Sequence, residues 1–151
     1  FLRVDGLGQS HLHQKAGGSE RPASIETVTN REHFVYQEGP AVFKHAVSDM
    51  SAVTEGIMKR NHLTAADLSW FVPHQANMRI IEAVGKRIDL PKEKILINIE
   101  NFGNTSAASV PLCLWDFESR LRKGDNIILA AFGAGFSWGS VYLKWGYDAV
   151  K

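Results

Sequence analysis

The sequence predicts an α/β fold, a mixed sheet with helices on both of its faces. Three observations lead there. Short apolar runs of strand length, at 68–72, 95–99 and 127–132, are separated by stretches whose apolar residues recur at helical spacing. Two of these runs end in a turn that opens a helix, once at Pro73-His74 and once at Gly103-Asn104. The last two strand-like runs, 127–132 and 140–145, follow one another across Gly133-Ala134-Gly135 with no helix between them, and this hairpin-like connection makes the sheet mixed.

The elements follow in order. Residues 1–40 hold Gly6, Gly8, Gly17, Gly18, Pro22, Gly39 and Pro40 among short polar stretches, so the segment reads as loop and linker, with His11-Leu12-His13 as one short strand. Val42, Phe43, Ala46, Val47, Met50, Val53, Ile57 and Met58 mark a helix over 42–61. Thr64 and Asp67 form a short capping turn. A buried strand over 68–72 precedes a helix over 78–88. Pro91 starts a turn, and 95–99 is a second strand. Thr105 or Ser106 caps a long helix to about Arg122, which ends at Lys123-Gly124-Asp125-Asn126. The third strand is 127–132 and the fourth 140–145. Ligands of such sheets bind outside the carboxyl ends of the strands. His74, Asn104 and the glycine turn all lie just past such ends.

Composition excludes several classes. The 151 residues are 44% hydrophobic and 22% charged, enough for one domain with a sizeable core. A net charge of +1 gives no global basic field, so nucleic acid is not an expected partner. No apolar run approaches the roughly 20 residues of a membrane span. Cys113 is the single cysteine, so no internal disulfide forms, which fits a reducing, cytoplasmic compartment. The chain opens on Phe1-Leu2-Arg3-Val4 without a starting methionine, and the expectation is a piece of a longer polypeptide.

His74 is the leading candidate for chemistry. A histidine at a helix start is ordinarily an inert cap, but here Pro73 fixes the approach and a buried strand delivers it. The nearby helix N-terminus disfavours the charged ring. A neutral imidazole N–H can donate to a developing oxyanion. Asn104 taken alone is a common turn residue. Paired with His74 in a matching context, it becomes a second donor, one that does not titrate. Both side chains are expected in one pocket near Phe132 and Ala134. Gly133-Ala134-Gly135 can offer a backbone N–H beside the site. Cys113 reads as a small buried hydrophobe. His11, His13, His33, His45 and His62 show no metal spacing. Arg79, Lys86 and Arg87 lie on the helix after His74, where a phosphate-bearing carrier could dock.

The motifs VPHQAN, FGNTSAAS and AFGAGFSWGS, in this order, resemble the C-terminal half of 3-oxoacyl-acyl-carrier-protein synthase III, the condensing enzyme of the thiolase superfamily that starts type II fatty acid synthesis. The resemblance runs from about Gln37 to Trp145. It implies a thiolase-like half over 36–151, preceded over 1–35 by the tail of the N-terminal half and a linker. His74 and Asn104 match two members of a Cys-His-Asn triad, whose cysteine belongs to the N-terminal half. Gln75, Ala76, Asn77, Met78 and Arg79 match the stretch that meets the acyl carrier protein, with Arg79 the principal cation and Lys44 a second basic contact. Phe132 matches the phenylalanine beside the nucleophile. Where the family has three glycines, the middle one here is Ala134, between Gly133 and Gly135. The implied partners are acyl carrier protein, acyl-CoA, the N-terminal half and a second copy in a homodimer. No cofactor and no metal are implied. Two other readings stand beside this one, a synthase III relative of secondary metabolism and a non-catalytic thiolase-like interaction subunit.

Overall fold

A computed structural model describes residues 1–149; the last two positions of the 36–151 segment lie outside the described residues. The chain forms strand β1 (Leu2–Val4), a 3-10 turn, strand β2 (Leu12–Gln14), helix α1 (Ile25–Thr29), strand β3 (Val35–Gln37) and the long helix α2 (Gly39–Arg60). Strand β4 (Trp70–Pro73), helices α3 (Met78–Arg87), α4 (Ile99–Phe102) and α5 (Ser109–Asp116), and strands β5 (Asn126–Gly133) and β6 (Ser137–Lys144) complete it. The main sheet has the order β1-β6-β5-β4. Strands β4 and β5 are parallel and the other pairs antiparallel, so the sheet is mixed as expected.

Period-two alternation divides the core between the two faces of this sheet. On β5, Ile128, Ala130 and Phe132 join a cluster with Val42, Ala46, Met50, Ile81 and Val84 of α2 and α3. Ile127 and Leu129 point the other way, into a cluster with Cys113, Leu121 and Val72. Helices therefore cover both faces.

Four local expectations are corrected. The loop reading of residues 1–40 misses β1, which pairs Leu2 with Gly139 as an edge strand of the main sheet. It also misses α1, closed by a Ser24–Thr27 capping box, and β3, whereas the short strand expected at His11-Leu12-His13 forms as β2 and pairs with β3. The second strand, 95–99, does not form. Ile95 makes one isolated parallel bridge to Phe71, and the buried Gln75 side chain accepts the main-chain N–H groups of Asn98 and Ile99 that a ladder would use. The long helix over 105–122 is broken into pieces. Ser106 has a left-handed φ of 54°, so α5 begins only at Ser109, with Pro111 in its first turn, where the missing N–H costs nothing. After Asp116 the chain turns through Glu118–Arg120 and brings Leu121 back into the core. The fourth strand starts at Ser137, not at Ser140, so its loop from β5 is only Ala134-Gly135-Phe136. Gly135 has a φ of +139°, and a Cβ there would lie 2.6 Å from Ser137 Oγ. Glycine is required at this position.

Candidate active site

Strand β4 delivers His74 to the carboxyl edge of the sheet. Its main-chain N–H donates to Ala130 O at 2.7 Å, which extends the β4–β5 ladder by one step and pins the residue. The ring's Nδ1 lies 2.6 Å from Ser109 Oγ at the start of α5. Burial holds the His74 imidazole below its ordinary pKa, so the ring stays neutral at pH 7. The expected cause, a helix N-terminus, is replaced by desolvation, since α3 begins only at Met78.

Gly103, with a φ of +66°, turns the chain so that Asn104 follows the end of α4. Asn104 Oδ1 accepts the N–H of Ser106 at 2.9 Å, which occupies the amide oxygen and leaves Nδ2 as the group on offer. His74 and Asn104 line one cavity of about 720 Å³, together with Ser109, Phe132, Gly133 and Ala134. Leu2, Val4 and Trp138 add apolar wall. Two neutral N–H donors lining one largely apolar cavity suit an oxygen that gains negative charge during reaction.

The remaining expected site residues divide. Gly135 holds the turn but is not among the residues lining the cavity. Arg79 is exposed on α3, with its guanidinium 5.4 Å from the centre of the Phe43 ring, next in sequence to the exposed Lys44. Asn77 is exposed but caps α3 by accepting from the N–H of Arg79, while Ala76 and Met78 are half-buried. Gln75, expected at a carrier surface, is 1% exposed. Its Nε2 donates to Pro73 O and Leu96 O, and its Oε1 accepts from the N–H groups of Asn98 and Ile99. That side chain is a strut, with no donor or acceptor left for a partner.

Cys113 is fully buried on α5 and does not line the cavity. Burial, with a smaller contribution from Asp116, pushes its thiol up to about 12, so the nucleophilic thiolate is absent at neutral pH. Ser109 is the residue the sequence reading passed over. Nothing in one dimension marks it beyond a hydroxyl in the mostly apolar stretch from Ala107 to Leu114. Among the described residues, no group of three or more His, Cys, Asp or Glu side chains could hold a metal ion, and no helix is long and apolar enough to cross a membrane.

Comparison with known proteins gives the same direction. A family profile described as 3-Oxoacyl-[acyl-carrier-protein (ACP)] synthase III C terminal matches residues 58–145. Beta-ketoacyl-[acyl-carrier-protein] synthase III 2 of Bacteroides thetaiotaomicron is 61% identical over 151 residues, which is 100% of this chain and 45% of that protein. The synthase III of Porphyromonas gingivalis is 56% identical over 97% of this chain and 44% of its own length. The crystal structure of 3-oxoacyl-(acyl carrier protein) synthase III from Pseudomonas aeruginosa PAO1 superimposes with a TM-score of 0.84 at 39% identity, over 97% of this chain and 44% of that one. The chain spans a little under half the length of the curated relatives it matches. With its mixed sheet, helices on both faces and the three motifs in place, the chain belongs to the 3-oxoacyl-(acyl-carrier-protein) synthase III family and is the C-terminal, thiolase-like half of such a protein.

Proposed function

We propose that this chain is the C-terminal part of a decarboxylating condensing enzyme that joins a short acyl group from acyl-CoA to malonyl acyl carrier protein, the step that initiates type II fatty acid synthesis. The observation that carries the reading is that His74 and Asn104 meet on one apolar cavity at the strand ends. In this mechanism the bond between C2 of the malonyl group and its carboxylate breaks, and carbon dioxide leaves. The electron pair passes to C2 and the thioester oxygen, where His74 Nε2–H and Asn104 Nδ2–H donate to the developing charge. The C2 carbanion attacks the acyl carbonyl held on a cysteine of the N-terminal half, and that thiolate leaves. Phe132 stands beside the cysteine, and the Gly133-Ala134 turn offers main-chain N–H groups to the acyl oxygen. We place the complete enzyme in the cytoplasm as a homodimer.

Identity supports the fatty acid role over a role in secondary metabolism. The Bacteroides relative named beta-ketoacyl-[acyl-carrier-protein] synthase III is 61% identical, whereas the priming beta-ketosynthase of the R1128 polyketide pathway is 29% identical. The test pairs the complete enzyme with this chain alone. Given acetyl-CoA and malonyl carrier protein, the complete enzyme releases CoA and carbon dioxide, and the isolated chain releases neither above a no-protein control, because Cys113 cannot act as nucleophile. Turnover by the isolated chain, or none by the complete enzyme, overturns the reading.

Arg79 and Lys44, exposed on α3 and α2 and outside the residues that line the cavity, serve the acidic carrier protein. Arg79→Glu raises the KM for malonyl carrier protein, increasingly so at low salt, and leaves acyl transfer from acetyl-CoA near wild type. Equal damage to both half-reactions would place Arg79 in the chemistry or the fold instead.

A further inference from the structure

We propose that Ser109 is a positioning residue: its hydroxyl donates to Nδ1 of His74, holds the ring in the Nε2–H tautomer, and so makes His74 a donor toward the cavity. The inference rests on the decarboxylation reading above and assigns how one of its two donors acquires its polarity.

Two groups lie within hydrogen-bonding distance of Ser109 Oγ among the described residues, His74 Nδ1 at 2.6 Å and the main-chain N–H of Gln75 at 3.3 Å. The amide can only donate, so it takes a lone pair of Oγ. The hydroxyl proton then has one acceptor, the lone pair on Nδ1. In the reverse arrangement Nδ1–H would donate to Oγ, and the hydroxyl proton would have no acceptor at a residue that is 2% exposed. Buried donors are seldom left without a partner, because desolvating them is costly. With Nδ1 occupied as an acceptor, the neutral ring carries its proton on Nε2. Nε2 has no hydrogen-bond partner among the described residues, and the ring lines the cavity.

The alternative tautomer would be harmful here. A ring protonated on Nδ1 would turn the Nε2 lone pair toward the oxygen that gains charge and would repel it. The support behind Ser109 is rigid. Gln75, whose N–H orients the hydroxyl, is itself held through both ends of its side chain by four main-chain groups. The same segment polarises the second donor, since the N–H of Ser106 occupies Asn104 Oδ1 and leaves Nδ2 free. Ser106 and Ser109 thus act on the two donors from one side.

The experiment uses the complete enzyme labelled with 15N-histidine, with a His74→Asn sample to identify the His74 signals. Wild type at neutral pH should show an unprotonated Nδ1 and a protonated Nε2. Ser109→Ala should show both tautomers and a ring that takes up its proton at higher pH than in wild type, because the neutral form has lost a donor to Nδ1. In the same variant carbon dioxide release should fall roughly 10- to 100-fold, by analogy with a metal-bound histidine that loses the partner on its other nitrogen. The KM for malonyl carrier protein and acyl transfer to the cysteine should stay near wild type. Ser109→Thr keeps the hydroxyl and should restore the wild-type tautomer and most of the rate. A wild-type ring protonated on Nδ1, or a Ser109→Ala ring with unchanged tautomer and titration, overturns the proposal. A tautomer that loosens in Ser109→Ala while carbon dioxide release is unchanged supports the positioning role and overturns the decarboxylation reading of His74.

Discussion

Replacing His74 by alanine in the complete enzyme lowers carbon dioxide release from malonyl carrier protein by roughly 10²–10³, the usual cost of losing one oxyanion donor. Asn104→Ala does the same. Each side chain can offer an N–H to the cavity, His74 from Nε2 because Ser109 occupies Nδ1 and Asn104 from Nδ2 because its Oδ1 is taken by Ser106. The His74 main chain stays bonded to Ala130, and Asn104 is exposed in this chain. Acyl transfer to the cysteine suffers less, because it depends mainly on a thiolate and main-chain donors. The two losses combine to less than their product, since both donors act on one oxygen. Trapping labelled carbon dioxide and following thioester exchange separate the half-reactions. Normal carbon dioxide release in both variants would remove the donor assignment altogether. The pH dependence has a defined sign. Burial lowers the His74 pKa, so the ring stays neutral to lower pH than an exposed histidine would; protonation adds an N–H at Nδ1 and leaves Nε2–H in place, so acidification changes the charge of the ring and its bond to Ser109, not the presence of the donor.

Replacing Gln75 by leucine destabilises the fold and leaves the cavity chemistry formally intact. Leucine has similar bulk, so the loss is polar. Pro73 O, Leu96 O and the N–H groups of Asn98 and Ile99 all lose a partner. Leu96 is fully buried and Asn98 nearly so, which keeps water from replacing the amide there. Each buried group left unpaired costs about 1–3 kcal/mol, so with partial relaxation the total reaches at least about 3 kcal/mol. In the complete enzyme, about twice the length of this chain, that lowers the melting temperature by roughly a few degrees. Calorimetry or thermal circular dichroism on the purified enzyme measures it. A melting temperature unchanged from wild type would mean that the Gln75 amide does not bridge these segments. An exposed carrier-contact residue at this position would leave stability untouched and weaken carrier binding, so the experiment separates the two roles assigned to Gln75.

The family's C-terminal half is legible wherever its signals are local. Helices α2 and α3 follow from apolar spacing within one element, and β4 and β5 from short apolar runs bounded by turn residues. The positions of His74 and Asn104 after strand-like runs, with a glycine turn nearby, were enough to bring both to one expected pocket. That placement depends on turns a few residues long, which sequence encodes directly.

Other features depend on partners far away in the chain. Strand β1 is three exposed residues with no pattern of its own, and it exists because the free edge of β6 accepts it. Residues 95–99 carry a good strand pattern, but their N–H groups are claimed by a side chain more than twenty positions earlier. The helix expected through Arg122 stops because Leu121 has a core to enter. Gln75 and Ser109 look like ordinary surface polar residues in one dimension, and burial gives each its hydrogen-bond partners. The sequence by itself determined the fold class, the approach of His74 and Asn104 to one cavity and the turns that carry them, since spacing and turn chemistry act between near neighbours. Only the tertiary structure decided which polar groups are buried and which nitrogen of His74 meets Ser109, because desolvation and long-range hydrogen bonds arise when distant segments pack together.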